Sequence, residues 1–143
     1  MSVQAERRLR RGVYLAPFGE LADPSALVDL AVRAESRGWD GFFLWDHIAP
    51  RPPVKAVADP WVALGAIAAR TERLRLGPLV TPLSRRRVQK VARETVTLDH
   101  LSRGRLTLGV GLGSGNPDEL VPWGEVVEPR ERARLLEIGR AHV

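Results

Sequence analysis

Four apolar stretches recur along the chain: GVYLAP (12–17), GFFLW (41–45), LRLGPLV (74–80) and RLTLGVGLG (105–113). They largely lack the polar alternation of a half-exposed strand, and such runs suit strands covered on both faces, as in a parallel sheet. The segments between them carry helical spacing. In DPSALVDLAVRAESRG, Leu27, Leu30, Ala31 and Ala34 form one stripe. Asp23 there suits an N-cap, Pro24 the first helical position, and Gly38 the left-handed residue that ends a helix. DPWVALGAIAAR repeats the start with Asp59 and Pro60 and turns Leu64, Ile67 and Ala68 inward. RRRVQKVARETVTLDHLSRG puts Val88, Val91, Thr95, Leu98 and Leu101 on one face and stops at Gly104, and PRERARLLEIG begins a further helix near Pro129.

The strand starts, at 12, 41, 74 and 105, follow the roughly 30-residue period of a βαβ unit. Strict alternation of strand and helix predicts an α/β fold with a parallel sheet. A doubly wound sheet would carry GxGxxG at its first strand–helix turn. That turn reads APFGELADP, with one glycine, and GVGLGSGNPDE spaces Gly109, Gly111, Gly113 and Gly115 two apart. Alternating glycines leave one strand face bare where something bulky lies against the backbone. The pattern weakens the doubly wound reading beside the other architecture built from such units, a TIM-type (β/α)8 barrel. Such a barrel takes roughly 250 residues, so 143 residues predict its first four β/α units, a half barrel. The expected divisions are a basic leader over 1–11, the barrel units over 12–137, and a non-native read-through tail over 138–143, where EIGRAHV abandons the amphipathic pattern.

Composition narrows the function classes. A hydrophobic content of 44% is that of an ordinary globular chain. The net charge of +5 is almost all arginine, in runs at Arg7, Arg8, Arg10, Arg11 and at Arg85, Arg86, Arg87. Neither run has interleaved aromatics to stack bases, so both are read as solvated faces rather than a nucleic-acid surface. The absence of cysteine excludes disulfides, thiolate nucleophiles and zinc–thiolate sites, and fits a reducing, cytoplasmic setting. No apolar run approaches the roughly 20 residues of a membrane span. His47, His100 and His142 are dispersed without metal-ligand spacing, and no GxSxG elbow is present.

Candidate chemistry gathers in GFFLWDHIAP, where a buried strand ends in Asp46 and His47. An imidazole titrates near neutrality and can take or give a proton at a reacting group. Neighbours on a strand point to opposite faces, so the two side chains meet only if the loop bends. The plainer alternative is a histidine capping a strand end beside an aspartate bonded to loop amides.

DPSALVDLAVRAESRGWDGFFLWDH, DPWVALGAIAARTERLRLGPLVTPLSRRR, TLDHLSRGRLTLGVGLG and ERARLLE, in this order and spacing, resemble the N-terminal half of the bacterial luciferase-like, flavin-dependent oxidoreductases and monooxygenases. The resemblance implies a barrel with its site at the C-terminal ends of the strands. It also implies FMN or the deazaflavin coenzyme F420 as cofactor, and hydride or two-electron transfer to or from a small organic substrate. Asp46 and His47 match the Asp-His pair that closes the second strand in the deazaflavin branch, where the histidine acts at the substrate. Leu79 and Val80 match a bulge with a non-proline cis peptide behind the cofactor ring. Gly109, Gly111 and Gly113 either leave room for a flat ring or pack a tight barrel interior. Two positions depart from the sugar-phosphate-oxidising branch: Arg51 replaces an aromatic residue, and Ser114, Asn116, Asp118 and Glu119 offer no clean match for its loop carboxylate. The competing reading is a non-catalytic half barrel whose open edges pair in a homodimer.

Overall fold

The computed structural model describes residues 8–49 and 52–141. Arg7 of the leader run, Arg51 and His142 lie outside them, as do the last residues of the expected tail. The elements run β1 (Gly12–Leu15), α1 (Pro24–Ser36), β2 (Gly41–Leu44), α2 (Pro60–Arg70), β3 (Arg75–Pro78), β4 (Thr81–Pro82), α3 (Val88–Leu101), β5 (Val110–Gly111), α4 (Pro117–Leu120) and α5 (Pro129–Arg140). Short 3-10 turns at Gly19–Ala22, Leu83–Arg85 and Val121–Trp123 join them.

The helix starts follow from capping chemistry. Asp23 accepts from the Ser25 amide, Asp59 from Trp61 and Val62, Asn116 from Asp118 and Glu128 from Glu131, each with proline at the first helical turn. An acceptor at the cap satisfies an orphaned amide, and proline there has no amide to satisfy. Gly38 takes φ +75° at the end of α1, as its position in the sequence requires.

β1, β2 and β3 pair in parallel in that order, with Val13 beside Phe42 and Phe42 beside Leu76. Phe42, Leu44 and Leu76 are buried in one cluster with Leu27 and Ala31 of α1, Leu64 and Ile67 of α2, and Val91 and Leu98 of α3, and Val13 packs against it. The three helices thus share one core with the sheet, and the strand order never reverses as a doubly wound sheet requires. Tyr14, Phe43 and Gly77 are aligned across the opposite face. Leu101, expected inward, is 48% exposed, because α3 is buried chiefly through Val91 and Leu98.

The fourth expected strand is shorter than its sequence pattern. Only Val110–Gly111 forms a regular strand, paired with β4. Upstream, Arg105 accepts from the Leu76 amide at 3.2 Å, and Thr107 and Gly109 donate to Leu76 and Pro78 at 2.8 and 3.1 Å. The third strand is interrupted at Leu79–Val80, whose peptide bond is cis as the resemblance implies, and resumes as β4. α5 continues through Ile138 to Arg140, and Gly139 is buried against Leu83.

At the end of the sheet where strands begin, polar groups close the fold. The Glu35 carboxylate accepts from the amides of Glu72, Arg73 and Leu74 at 2.6 to 3.1 Å. Burial pushes the Glu35 carboxyl up, but those amides and the Arg73 charge outweigh it and hold the group below the usual carboxylate range. The functional candidates lie at the other end.

Candidate active site

Past Leu44, the Trp45 amide donates to Leu15 at 2.9 Å, which carries the β-pairing one residue beyond the strand. The chain then bends, and Asp46 and His47 part company. Asp46 is 5% exposed. Its Oδ1 accepts from Arg85 Nη2 at 3.1 Å, and its Oδ2 accepts from Arg86 Nε and Nη2 at 3.1 and 2.7 Å. Arg85 Nη2 also donates to the Asp46 carbonyl. Arg86 lies over the Trp61 ring, 5.8 Å from its centroid, and 4.0 Å from Glu94. The Arg85–Arg87 run is therefore not a solvated face. Two of its three guanidiniums are drawn inward by a buried carboxylate, and only Arg87 is exposed.

His47 has a different carboxylate. Its Nδ1 lies 3.0 and 3.1 Å from the two oxygens of Glu119 on α4, and Glu119 Oε1 also accepts from the Ile48 amide at 3.0 Å. A carboxylate only accepts, so Nδ1 carries the hydrogen and, in the neutral ring, Nε2 keeps a free lone pair. Glu119 is 4% exposed. Burial pushes its carboxyl up, but the Ile48 amide, the His47 hydrogen bond and charge, and Ser114 hold it below the usual range. Aromatic rings set the imidazole plane: Phe18 meets it edge-on at 5.7 Å and Trp45 lies tilted at 5.6 Å.

A depressed folded-state pKa contributes stability above the unfolded pKa of about 4.3, lost as pH falls through the lower folded value. Wild type should therefore show an acid-side loss of denaturation midpoint that Glu119→Gln lacks. Parallel midpoint–pH curves for the two proteins would refute this.

Leu79 and Val80 are partly buried just past β3, on the side reached by Tyr14, whose hydroxyl donates to the Leu79 carbonyl at 2.6 Å. Burial raises the Tyr14 hydroxyl above its ordinary pKa. Tyr14 and Trp45, ring centroids 5.6 Å apart, are 51% and 36% exposed, so Tyr14, Trp45 and His47 form one aromatic row. The alternating glycines face the neighbouring strand: a Cβ on Gly109 would lie 2.7 Å from Leu79, on Gly111 3.0 Å from Val80, and on Gly113 2.6 Å from Pro82. They admit the interrupted third strand at close approach, the tight-packing alternative. The exposed rings of Tyr14 and Trp45 and the partly buried Leu79 and Val80 leave an apolar surface beside the imidazole. Such an apolar, aromatic lining suits the ring system of a flavin or deazaflavin.

The structure thus brings His47 together with Glu119, Leu79 with Gly109 and Val80 with Gly111, while Gly113 lies against Pro82 and Asp46 is bound elsewhere. Arg85, Arg86 and Tyr14 escape a reading of local patterns as site residues, and Glu119 enters it only as one of four loop residues without a clean match. Glu119 has one legible signal: NPDE repeats the cap-and-proline device, so Asn116 and Pro117 announce a helix start with Glu119 in its first turn. Buried Arg132 of α5 holds the preceding loop, donating to the Leu112, Gly113 and Ser114 carbonyls. Among the described residues, no three His, Asp or Glu side chains gather as a metal site, and no helix is long and apolar enough to cross a membrane.

The F420-dependent glucose-6-phosphate dehydrogenase of Nakamurella multipartita is 43% identical over 120 residues, covering 80% of this chain and 34% of that protein. This chain therefore spans about a third of that relative. Among solved structures, an F420-dependent secondary alcohol dehydrogenase in complex with an F420-acetone adduct superposes with a TM-score of 0.78 at 25% identity, over 91% of this chain and 39% of that one. The oxygenating constituent of 3,6-diketocamphane monooxygenase from Pseudomonas putida, in complex with FMN, gives 0.80 at 20% identity over 93% and 37%, a likeness of fold. The sequence profile of the luciferase-like monooxygenases matches residues 4–139, and the chain belongs to that family.

Proposed function

We propose that these residues are the first β/α units of a longer (β/α)8 barrel oxidoreductase that oxidises a small alcohol with coenzyme F420, and that His47 is its base. The observation that carries this reading is the His47–Glu119 pair. Glu119 occupies Nδ1, so Nε2 is left to accept the hydroxyl proton of an alcohol as its carbinol hydrogen departs as hydride. The buried carboxylate orients the imidazole and stabilises the imidazolium that results, in the manner of the aspartate in a serine-protease triad. Leu79, Val80, Trp45 and Tyr14 would hold the cofactor ring, which supplies the two-electron acceptor when bound. The names of the relatives, two of them F420-dependent dehydrogenases, support an alcohol as substrate. FMN is the alternative cofactor.

The test uses the enzyme completed by its remaining barrel units, given F420 and alcohols deuterated at the carbinol carbon. Deuterium appearing in the reduced cofactor, with slowed turnover, is expected. Consumption of dioxygen with an oxygenated product would replace the dehydrogenase reading with a monooxygenase, and a dimer that binds neither cofactor would favour the non-catalytic half barrel.

A further inference from the structure

The contact between Asp46 and the two arginines has no part in the proton transfer just described. Both oxygens of the Asp46 carboxylate are engaged, Oδ1 by Arg85 and Oδ2 twice by Arg86, and its side chain is only 2% exposed. A carboxylate that accepts three hydrogen bonds and is this enclosed is not presented to a substrate. Its own carbonyl is taken by Arg85 as well, so backbone and side chain of one residue are pinned by one guanidinium. That residue immediately precedes His47, and the amide after His47, that of Ile48, is bound by Glu119. The base is thus held between two anchored positions. Arg85 ends the 3-10 turn before α3, and Arg86 follows it, so the anchor rests on a different element from the one that carries Glu119. Arg86 is in turn braced by the Trp61 ring of α2 and by Glu94 of α3.

We propose that Asp46 is a positioning residue rather than an acid or base, and that Arg85 and Arg86 act through it to fix the turn that delivers the His47 imidazole to Glu119. A guanidinium supplies this better than an ammonium, because its planar Nε–H and Nη2–H groups converge on Oδ2 and set orientation as well as charge. The inference rests on the proposed role of His47 for its consequence in turnover, but its geometric core does not.

The first measurement is therefore made on this chain without cofactor: the ring nitrogen resonances of His47 and the exchange rate of its Nδ1 proton. Asp46→Asn and Arg86→Lys are the variants, since both keep a polar partner in place, and circular dichroism checks that each is folded. At least tenfold faster exchange of the Nδ1 proton, with ring shifts moving towards those of a free imidazole, is expected in both. Glu119→Gln is the reference for a ring that has lost its carboxylate. Folded variants with wild-type His47 signals would overturn the proposal. Should either variant unfold, Arg85→Lys, which leaves the Arg86 fork intact, is read by the same two criteria.

The second measurement uses the completed enzyme. Arg86→Lys should lower kcat about tenfold with little change in the alcohol KM, and Asp46→Asn should keep the acid limb of the wild-type pH profile. Loss of that limb in Asp46→Asn would make Asp46 the base. Absence of turnover in wild type with any alcohol would defeat the dehydrogenase reading while leaving the resonance result standing.

Discussion

Replacing His47 by alanine in the completed enzyme should lower kcat for alcohol oxidation by about 10²- to 10⁴-fold, the usual contribution of a positioned general base, while F420 affinity stays close to wild type. The separation between the two effects follows from where the ring lies. Its Nδ1 is committed to Glu119, and its faces and edges meet Trp45 and Phe18, so only Nε2 is left for chemistry. The wall assigned to the cofactor, Leu79 and Val80 with Tyr14 bonded to the Leu79 carbonyl, does not depend on the imidazole. Glu119 remains tied to the Ile48 amide when the imidazole is gone. Turnover is read by cofactor absorbance and affinity by fluorescence titration. Equal loss of turnover and affinity would make His47 a structural residue and remove the base from the proposed reaction.

What the sequence reveals about this site depends on how far each residue's partner lies along the chain. Asp23 and Asp59 cap amides two or three residues away, so their roles are visible in a short window and the helices begin where the Asp-Pro pairs predict. His47 is legible as a candidate because a strand pattern ends on it and a family resemblance covers it. Its partner is not, because Glu119 is 72 residues distant, on the short helix after the fourth strand segment, and meets the turn after the second strand only in the folded chain. The arginine run shows the same limit with the opposite outcome. Three consecutive arginines read locally as a solvated face, yet Asp46, 39 and 40 residues upstream, draws Arg85 and Arg86 out of water. Alternation of Gly109, Gly111 and Gly113 correctly signals that something bulky lies against the strand. Its identity, the side chains of Leu79, Val80 and Pro82, is set by tertiary register and could not be read from spacing.

At the opposite end of the sheet, Arg105→Met should cost about 3 kcal/mol or more, since hydrogen bonds to a charged group contribute about 1.5 to 3 kcal/mol each and their loss leaves buried acceptors unpaired. Arg105 Nε donates to the Ser102 carbonyl at 2.6 Å, Nη1 to Thr71 Oγ1 and the Leu74 carbonyl at 2.9 and 3.0 Å, and Nη2 to the Ala68 and Thr71 carbonyls at 2.8 and 2.9 Å. One side chain thereby ties the end of α2, the start of β3 and the turn after α3 to the fourth strand segment. Methionine preserves the apolar stem, so the loss isolates the guanidinium from the packing of its methylenes. Burial pulls the Arg105 pKa down, but a guanidinium stays protonated at any pH the fold survives. The cost should therefore be the same at neutral and mildly acidic pH, unlike that of Glu35 or Glu119, whose contributions fade as their carboxylates are protonated. Arg105→Lys should recover only part of it, because three donors on a point charge cannot span five acceptors arranged around a plane. Urea denaturation supplies the free energies, and a thermal midpoint about 10 °C below wild type is the corresponding shift for a domain of this size. A methionine variant within about 0.5 kcal/mol of wild type, the range of an ordinary surface change, would mean that the five bonds are replaced by water at no cost and that this end of the sheet is held by Glu35 and the apolar core alone.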